Sequence, residues 1–473
     1  MSVQPRGSVW NAMLRRKPFD QIQDETETEG GLKRTLGLWQ LTAIGVGGII
    51  GAGIFALAGE VANQDAGPAV LISFLMAGIA SAAAAFAYAE FAGMVPRAGS
   101  AYTYGYAVLG EIAGWFIGWD LLLEYTAIVA VVAIGISGYF GFLLGQIGID
   151  LPAWMLGPVG ESGHRVDVFA MILCLLIAYL LNRGMKSAAR FETIVVSIKV
   201  VVVLVVIGVG VFFINSSNYH PFFPMGFGGA VTGAATVFFA VFGYDAMSTA
   251  AEESVESRKH MPKAIIYSLV IAMVLYVLAC LVLTGMQKYT EINPDAGFSK
   301  AFESVGLPGI GTLIALGAVI GILTVMFTFM LGVTRVWFSM ARDGLLPKVF
   351  ARTHPTKHVP TLVTWIVGIA SALIAGVVPI GEAAKLTNIG ILLAFIVVSV
   401  AVIVLRYKRP DLPRTFKVPG MPIVPLIGIG FSVWLIAALD WLTWVRFAVW
   451  FVIGLVVYLA YSRHKSVLNR QGD

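Results

Sequence analysis

With 473 residues, 58% of them hydrophobic and only 12% charged, the chain lies far from soluble domains, where about a quarter of residues are charged, and it reads as a polytopic membrane protein. Its basic balance, +5 with a pI near 9.1, requires no nucleic-acid partner, because Lys and Arg kept in cytoplasmic loops account for it. Cys174 and Cys280 both sit in apolar stretches, none of the six His has metal-ligand spacing, and P-loop, GxSxG and HExxH patterns are absent, so a disulfide framework, a metal, a cofactor and an enzymatic role are not expected.

Residues 1–35 are polar, hold the acidic run Asp24, Glu25, Glu27 and Glu29, and read as a cytoplasmic tail without a cleaved signal. Apolar stretches then run over 36–62, 69–94, 115–144, 168–181, 193–214, 229–251, 264–286, 310–333, 362–378, 391–405, 424–439 and 447–461, twelve spans of an all-α integral membrane protein. With the N-terminus inside, nearly all of the 32 Lys and Arg are cytoplasmic, the exceptions being Arg165, Lys288, Lys300, Lys385 and Arg446 outside and Lys199 within a span. That asymmetry supports both the count and the orientation.

The first span carries GVGGIIGAGIF (45–55). Each Gly costs a helix interior about 1 kcal/mol relative to Ala, so a run this dense predicts a break that restarts near Gly53, with N–H groups suited to a carboxylate. The competing reading makes Gly47 and Gly51 a small-residue packing face. Residues 59–67 read as a short outer loop, and 87–106, with Pro96, Arg97 and Ser100, as a cytoplasmic re-entry. Glu90 reads as an interfacial carboxylate near Arg97. In the third span Asp120 and Glu124, at i and i+4, share a face at a depth where a carboxylate is expensive and marks function. Lys199 in the fifth span is borderline for snorkelling, and a functional role is favoured.

The stretch TGAATVFFAVFGYDAMSTAAEE (232–253), which covers most of the sixth span and the residues just after it, is interrupted at Phe242, Gly243 and Tyr244. Two interrupted apolar segments, one in each half, point to a transporter's midplane site. Met261 and Pro262 open the seventh helix, 334–360 is a basic amphipathic segment, and the Pro-rich linker 406–423 precedes the last two spans at 424–461 and a cytoplasmic tail at 462–473. Five spans in 36–214 and five in 226–405 give the arithmetic of an inverted repeat.

Together GVGGIIGAGIF, YAEFAGMVPRAGSAYTY, FFAVFGYDAMSTAAEE, SMARDGLLPK and LTNIGILLAF resemble the amino acid, polyamine and organocation superfamily of permeases, most closely bacterial relatives of the cationic amino acid transporters. The resemblance implies a leucine-transporter-type five-plus-five inverted repeat with two broken helices, alternating access in the plasma membrane, and an L-amino acid bound between the first and sixth helices. By motif, the α-carboxylate meets N–H groups at Ala52 and Gly53 near Ile49, and the α-ammonium meets carbonyls around Ile49, Phe239, Ala240 and Phe242. The substrate's side chain points toward Glu124, Tyr276 and Phe329. Lys199 matches the lysine that replaces sodium in proton-coupled relatives, with Glu124 as a second proton-coupling residue. Proton symport is therefore expected, with exchange, sodium coupling and a non-transporting sensor as alternatives. The implied partners are the substrate, protons and the bilayer, with either a single-span accessory peptide or no protein partner.

Overall fold

The computed structural model describes residues 13, 15, 32–51, 53–95, 97–146, 149, 152–155, 157, 165–293, 297–378, 387–437 and 441–470. These are helical almost throughout. In chain order the principal helices are α1 (Leu38–Ile49), α2 (Val70–Met94), α3 (Ala101–Val108), α4 (Glu111–Gln146), α5 (Val168–Asn182), α6 (Met185–Gly210), α7 (Gly226–Val237), α8 (Tyr244–Ser248), α9 (Ser257–Met286), α10 (Gly297–Ser304), α11 (Pro308–Arg342), α12 (Thr361–Val377), α13 (Asn388–Lys408), α14 (Ile423–Ala437) and α15 (Trp441–Val457). Among the described residues seven helical runs are long and apolar enough to cross a membrane, and four shorter apolar helices accompany them. The protein is a multi-pass membrane protein.

Both predicted interruptions are present. α1 stops at Ile49 with Ile50 extended, and helix resumes at Gly53 as a π-type turn. In the second half α7 passes through a 3-10 turn, Phe238–Ala240, to Gly243, whose φ of +129° only glycine adopts readily, and then into α8. Residues 59–67 differ from the expected loop. They stay helical through Ala58–Val61 and the π-turn Ala62–Ala66, and the chain leaves helix only at Gly67, whose φ is +63°, before the 3-10 turn Gly67–Ala69 leads into α2. Within this stretch the Asn63 amide donates to the Tyr289 carbonyl at 3.1 Å, so its polarity serves a tertiary contact and the break is narrowed to Gly67.

α9 begins at Ser257, upstream of the expected start, so Pro262 falls inside it. Proline cannot donate to the carbonyl four residues back. That carbonyl, on Arg258, instead accepts from the Thr415 hydroxyl at 2.7 Å, which fastens the 406–423 linker to α9. α9 packs along α1 and α2, α11 along α4, and α12 along α5. α6 approaches α11 closely at Gly317, where an added Cβ would lie 2.7 Å from Val202.

Ion pairs close one end of the bundle. Arg97 donates to Asp343 at 3.0 Å, Arg342 binds Glu252, and Arg335 binds Glu253 at 2.7 Å. The N–H groups of Thr35 and Leu36 donate to the Glu253 carbonyl at 2.8 and 2.9 Å, tying the approach to α1 to the strip after α8. Glu90 is ion-paired as expected of a structural carboxylate, but with Arg406 and Arg414 and not with Arg97. At the same end Arg15 donates to Asn469 at 2.8 Å, and Glu111 accepts from Tyr458 and Ser466. Segments near both termini thus meet at the start of α4.

Candidate functional site

The two interruptions face each other. An added Cβ on Gly243 would lie 2.5 Å from the carbonyl carbon of Gly48, and one on Gly53 would lie 2.1 Å from the Ala240 Cβ. Main chain therefore touches main chain where helix is missing, as freed backbone groups in a bilayer require. The Tyr276 hydroxyl from α9 sits between the breaks, 2.7 Å from the Ile49 carbonyl and 3.1 Å from the Ala240 carbonyl. Its single proton serves two acceptors. These are two of the carbonyls that the motif resemblance assigns to an α-ammonium.

On the far side of the first break lies Lys199, fully buried on α6. Its ammonium donates to the carbonyls of Gly47 at 2.9 Å and Ile50 at 2.5 Å and to the Thr324 hydroxyl at 2.5 Å. All three N–H bonds are engaged, which an ammonium removed from water requires. Thr324 in turn lies 3.0 Å from the Gly47 carbonyl. One side chain thus joins α6, the unwound part of α1 and α11. Glu192, about two helical turns before Lys199 on the same face of α6, lies against Gly47, where a Cβ would meet its Oε1 at 2.1 Å. An added Cβ on Gly51 would meet Val325 at 2.4 Å. The glycines of this run therefore serve both as a close-packing face and as the site of the break.

Asp245 fixes the second break. Its carboxylate accepts from the Gly243 N–H at 3.0 Å and from the Tyr125 hydroxyl at 2.5 Å. Tyr125 stands edge-on to Phe329 with centroids 5.2 Å apart, and Phe329 meets Phe242 at 6.1 Å, giving an aromatic wall beside the breaks. Glu124 is buried and neither oxygen has a hydrogen-bond partner among the described residues. It lies with Asp120 against α13, where a Cβ on Gly390 would meet Asp120 at 2.3 Å and Glu124 at 2.4 Å.

Of the expected site residues, Ile49, Gly53, Ala240 and Tyr276 come together in direct contact, and Phe242 and Phe329 form the adjoining wall. Glu124 lies against α13 at Gly390, and no hydrogen bond joins it to those residues among the described ones. Ala52 and the Phe239 side chain lie outside the described residues. Asp245, Tyr125 and Thr324 were missed. Asp245 carried a signal, since a carboxylate within an apolar span is costly, whereas Tyr125 and Thr324 gain meaning only from partners that fold against them.

This arrangement is that of a membrane protein built around two broken helices with a buried ammonium at one break. Residues 36–461 match the Amino acid permease family, and the chain belongs to that family. It is 45% identical to the Branched-chain amino acid permease BcaP of Bacillus subtilis (strain 168), over 98% of this chain and 100% of that protein. It is 42% identical to the Methylthioribose transporter of the same organism, over 97% and 100%, and 34% identical to the vacuolar Cationic amino acid transporter 4 of Arabidopsis thaliana, over 85% and 68%. These relatives are named as transporters and permeases, which agrees with a non-enzymatic role.

Proposed function

We propose that this protein is a secondary active transporter that carries L-amino acids across the plasma membrane by alternating access, with protons as the coupling ion. The observation that carries the substrate part is the Tyr276 hydroxyl held on the Ile49 and Ala240 carbonyls. An α-ammonium brings more donors to the same two acceptors and displaces that hydroxyl, while the restart at Gly53 offers N–H groups to the α-carboxylate. The aromatic wall of Phe242 and Phe329 suits a small or medium apolar side chain, in keeping with the branched-chain permease among the relatives. Glu124, buried without a hydrogen-bond partner among the described residues, favours a second reading in which a cationic side chain is accepted.

In this reading twelve spans form two inverted repeats, 36–214 and 226–405, joined by the 406–423 linker to a last pair at 424–461, with the tails 1–35 and 462–473 cytoplasmic. The meeting of Arg15 with Asn469 supports placing both tails on one side. Lys199 is the coupling group: charged, it links α6 to the break in α1, and loss of its proton releases that link. A ligand or proton can bias the two arrangements only by binding them unequally, and three hydrogen bonds made by the charged form supply that inequality. Uptake of leucine into proteoliposomes tests the whole, with valine, arginine, alaninol and methylthioribose as competitors. Competition by valine and none by alaninol supports it. Binding without uptake makes the protein a sensor, uptake that needs internal amino acid makes it an exchanger, and uptake that needs sodium removes the proton.

A further inference from the structure

At the end of the bundle closed by ion pairs, a cavity of about 440 Å³ lies between the approach to α1, the start of α6 and the segment after α11. Lys33, Arg183, Lys186, Arg190 and Lys357 line it, and among the described residues no acidic one does. Cytoplasmic loops are basic in general, so five cations alone do not make a site. Three further observations do. Lys33, Lys186, Arg190 and Lys357 have no side-chain hydrogen bond or ion pair among the described residues, although like charges so gathered repel one another. The Thr35 hydroxyl, on the cavity wall, is buried without a hydrogen-bond partner among the described residues. The start of α6 has no side-chain cap, and the unbonded N–H groups of its first turn at 185–187 belong to residues of the same wall. Cations, a hydroxyl and an uncapped helix start all ask for one compact, multiply charged acceptor.

The surroundings say where that acceptor comes from. Ile172, Leu176 and Tyr179 on α5, and Ile194, Ile198 and Val201 on α6, are exposed apolar side chains. They belong to the lipid-facing surface that leads directly to Arg183 and Arg190. A headgroup at this edge reaches the cavity without leaving the bilayer, and juxtamembrane cations attract anionic lipid.

We propose that this cavity binds a phosphate group, supplied by the headgroup of an anionic lipid, and that its occupancy ties the approach to α1 to the start of α6. The main chain at Thr35 and Leu36 already holds the strip after α8 through the Glu253 carbonyl, so a phosphate bridging Lys33 and Thr35 to Lys186 and Arg190 favours the closed form of this end. The chemistry is ionic and reversible, and it is independent of which substrate the protein carries.

The test measures thermal unfolding of the full chain in nanodiscs of phosphatidylcholine with increasing phosphatidylglycerol. Expected is a saturable upward shift of several degrees that is at least halved in Lys186→Gln/Arg190→Gln. These residues are exposed and repel their neighbours, so in pure phosphatidylcholine the double variant should be no less stable than the wild type. Lys408→Gln/Lys417→Gln, an exposed pair on the linker, controls for general basicity and should keep the full shift. Equal loss in that control, or no shift in the wild type, overturns the proposal. If inorganic phosphate in pure phosphatidylcholine reproduces the shift and phosphatidylglycerol adds nothing, the source is a soluble anion and the lipid assignment fails. If neutralising Asp24, Glu25, Glu27 and Glu29 lowers the midpoint as the pocket variant does, with no lipid dependence, the chain's own acidic run is the partner and the proposal is overturned. A negative result leaves the transport reading intact, because no substrate enters the assay.

Discussion

Substituting Gly53 tests whether contact between the two breaks shapes the binding site. A Cβ there lies 2.1 Å from the Ala240 Cβ and 2.8 Å from its Cα, whereas carbon atoms rest at roughly 3.5–4.0 Å. Gly53→Ala must part the breaks by about 1.5 Å, and Gly53→Val by more. Overpacking of this kind costs about 1–3 kcal/mol of stability. The Tyr276 hydroxyl, at 2.7 and 3.1 Å from the two carbonyls, cannot hold both acceptors once they separate by that amount. A ligand that reads both breaks loses one set of partners in the same way. The assay is the thermal shift produced by substrate on purified protein. A ligand at one hundred times its Kd stabilises by about 2.7 kcal/mol, and a hundredfold loss of affinity leaves about 0.4 kcal/mol at the same concentration. The expectation is that near-complete loss for Gly53→Val, with a folded protein and a smaller loss for Gly53→Ala. An unchanged shift in Gly53→Val would refute the reasoning.

Glu124→Gln should weaken arginine as a competitor about tenfold, roughly 1.4 kcal/mol, and leave alanine unchanged, since shape is kept and only charge is lost; equal losses in competition assays would reduce Glu124 to a structural role. Phe329→Ala removes a ring that meets Tyr125 and Phe242 and should cost about 3–5 kcal/mol in unfolding while admitting bulkier substrates in a competition series. Burial pushes the Glu252 carboxyl up, but Arg342 and then Arg97 outweigh it and hold the group below its ordinary 4.5. A lowered value in the folded state contributes stability that is complete above the unfolded value and fades as pH falls through the folded one. Melting temperature should therefore drop on acidification below about 4.5, and Arg342→Gln should flatten that drop, measured by melting across pH.

Both breaks were legible because glycine density and an apolar setting conflict locally, so the sequence itself displays the anomaly. Lys199 was legible for a related reason, a charge in an otherwise apolar helix. Its partners were not. Thr324 and the Gly47 and Ile50 carbonyls lie far along the chain and carry no mark of being acceptors. Glu90 shows the same limit from the other side. The nearest arginine in sequence, Arg97, was the natural partner, yet Arg406 and Arg414 hold Glu90 and Arg97 binds Asp343. Polarity within 59–67 suggested a loop over the whole stretch, whereas side chains such as Asn63 are satisfied by tertiary contact and the chain leaves helix only at Gly67. Spacing along the chain thus reveals which residues need a partner, while the partner itself is fixed by packing between helices distant in sequence.

The central claim is that Lys199, donating to the Gly47 and Ile50 carbonyls and to Thr324, couples protons to movement at the first break. Its most direct test is concentrative leucine uptake into sodium-free proteoliposomes under an imposed inward proton gradient, comparing wild type with Lys199→Ala. Each hydrogen bond from a charged donor contributes about 1.5–3 kcal/mol, so removing three should abolish the link. The account predicts accumulation above the external concentration in wild type and none in Lys199→Ala, with counterflow exchange as the most that remains. Accumulation against a gradient in Lys199→Ala, or a sodium requirement in wild type, would contradict it.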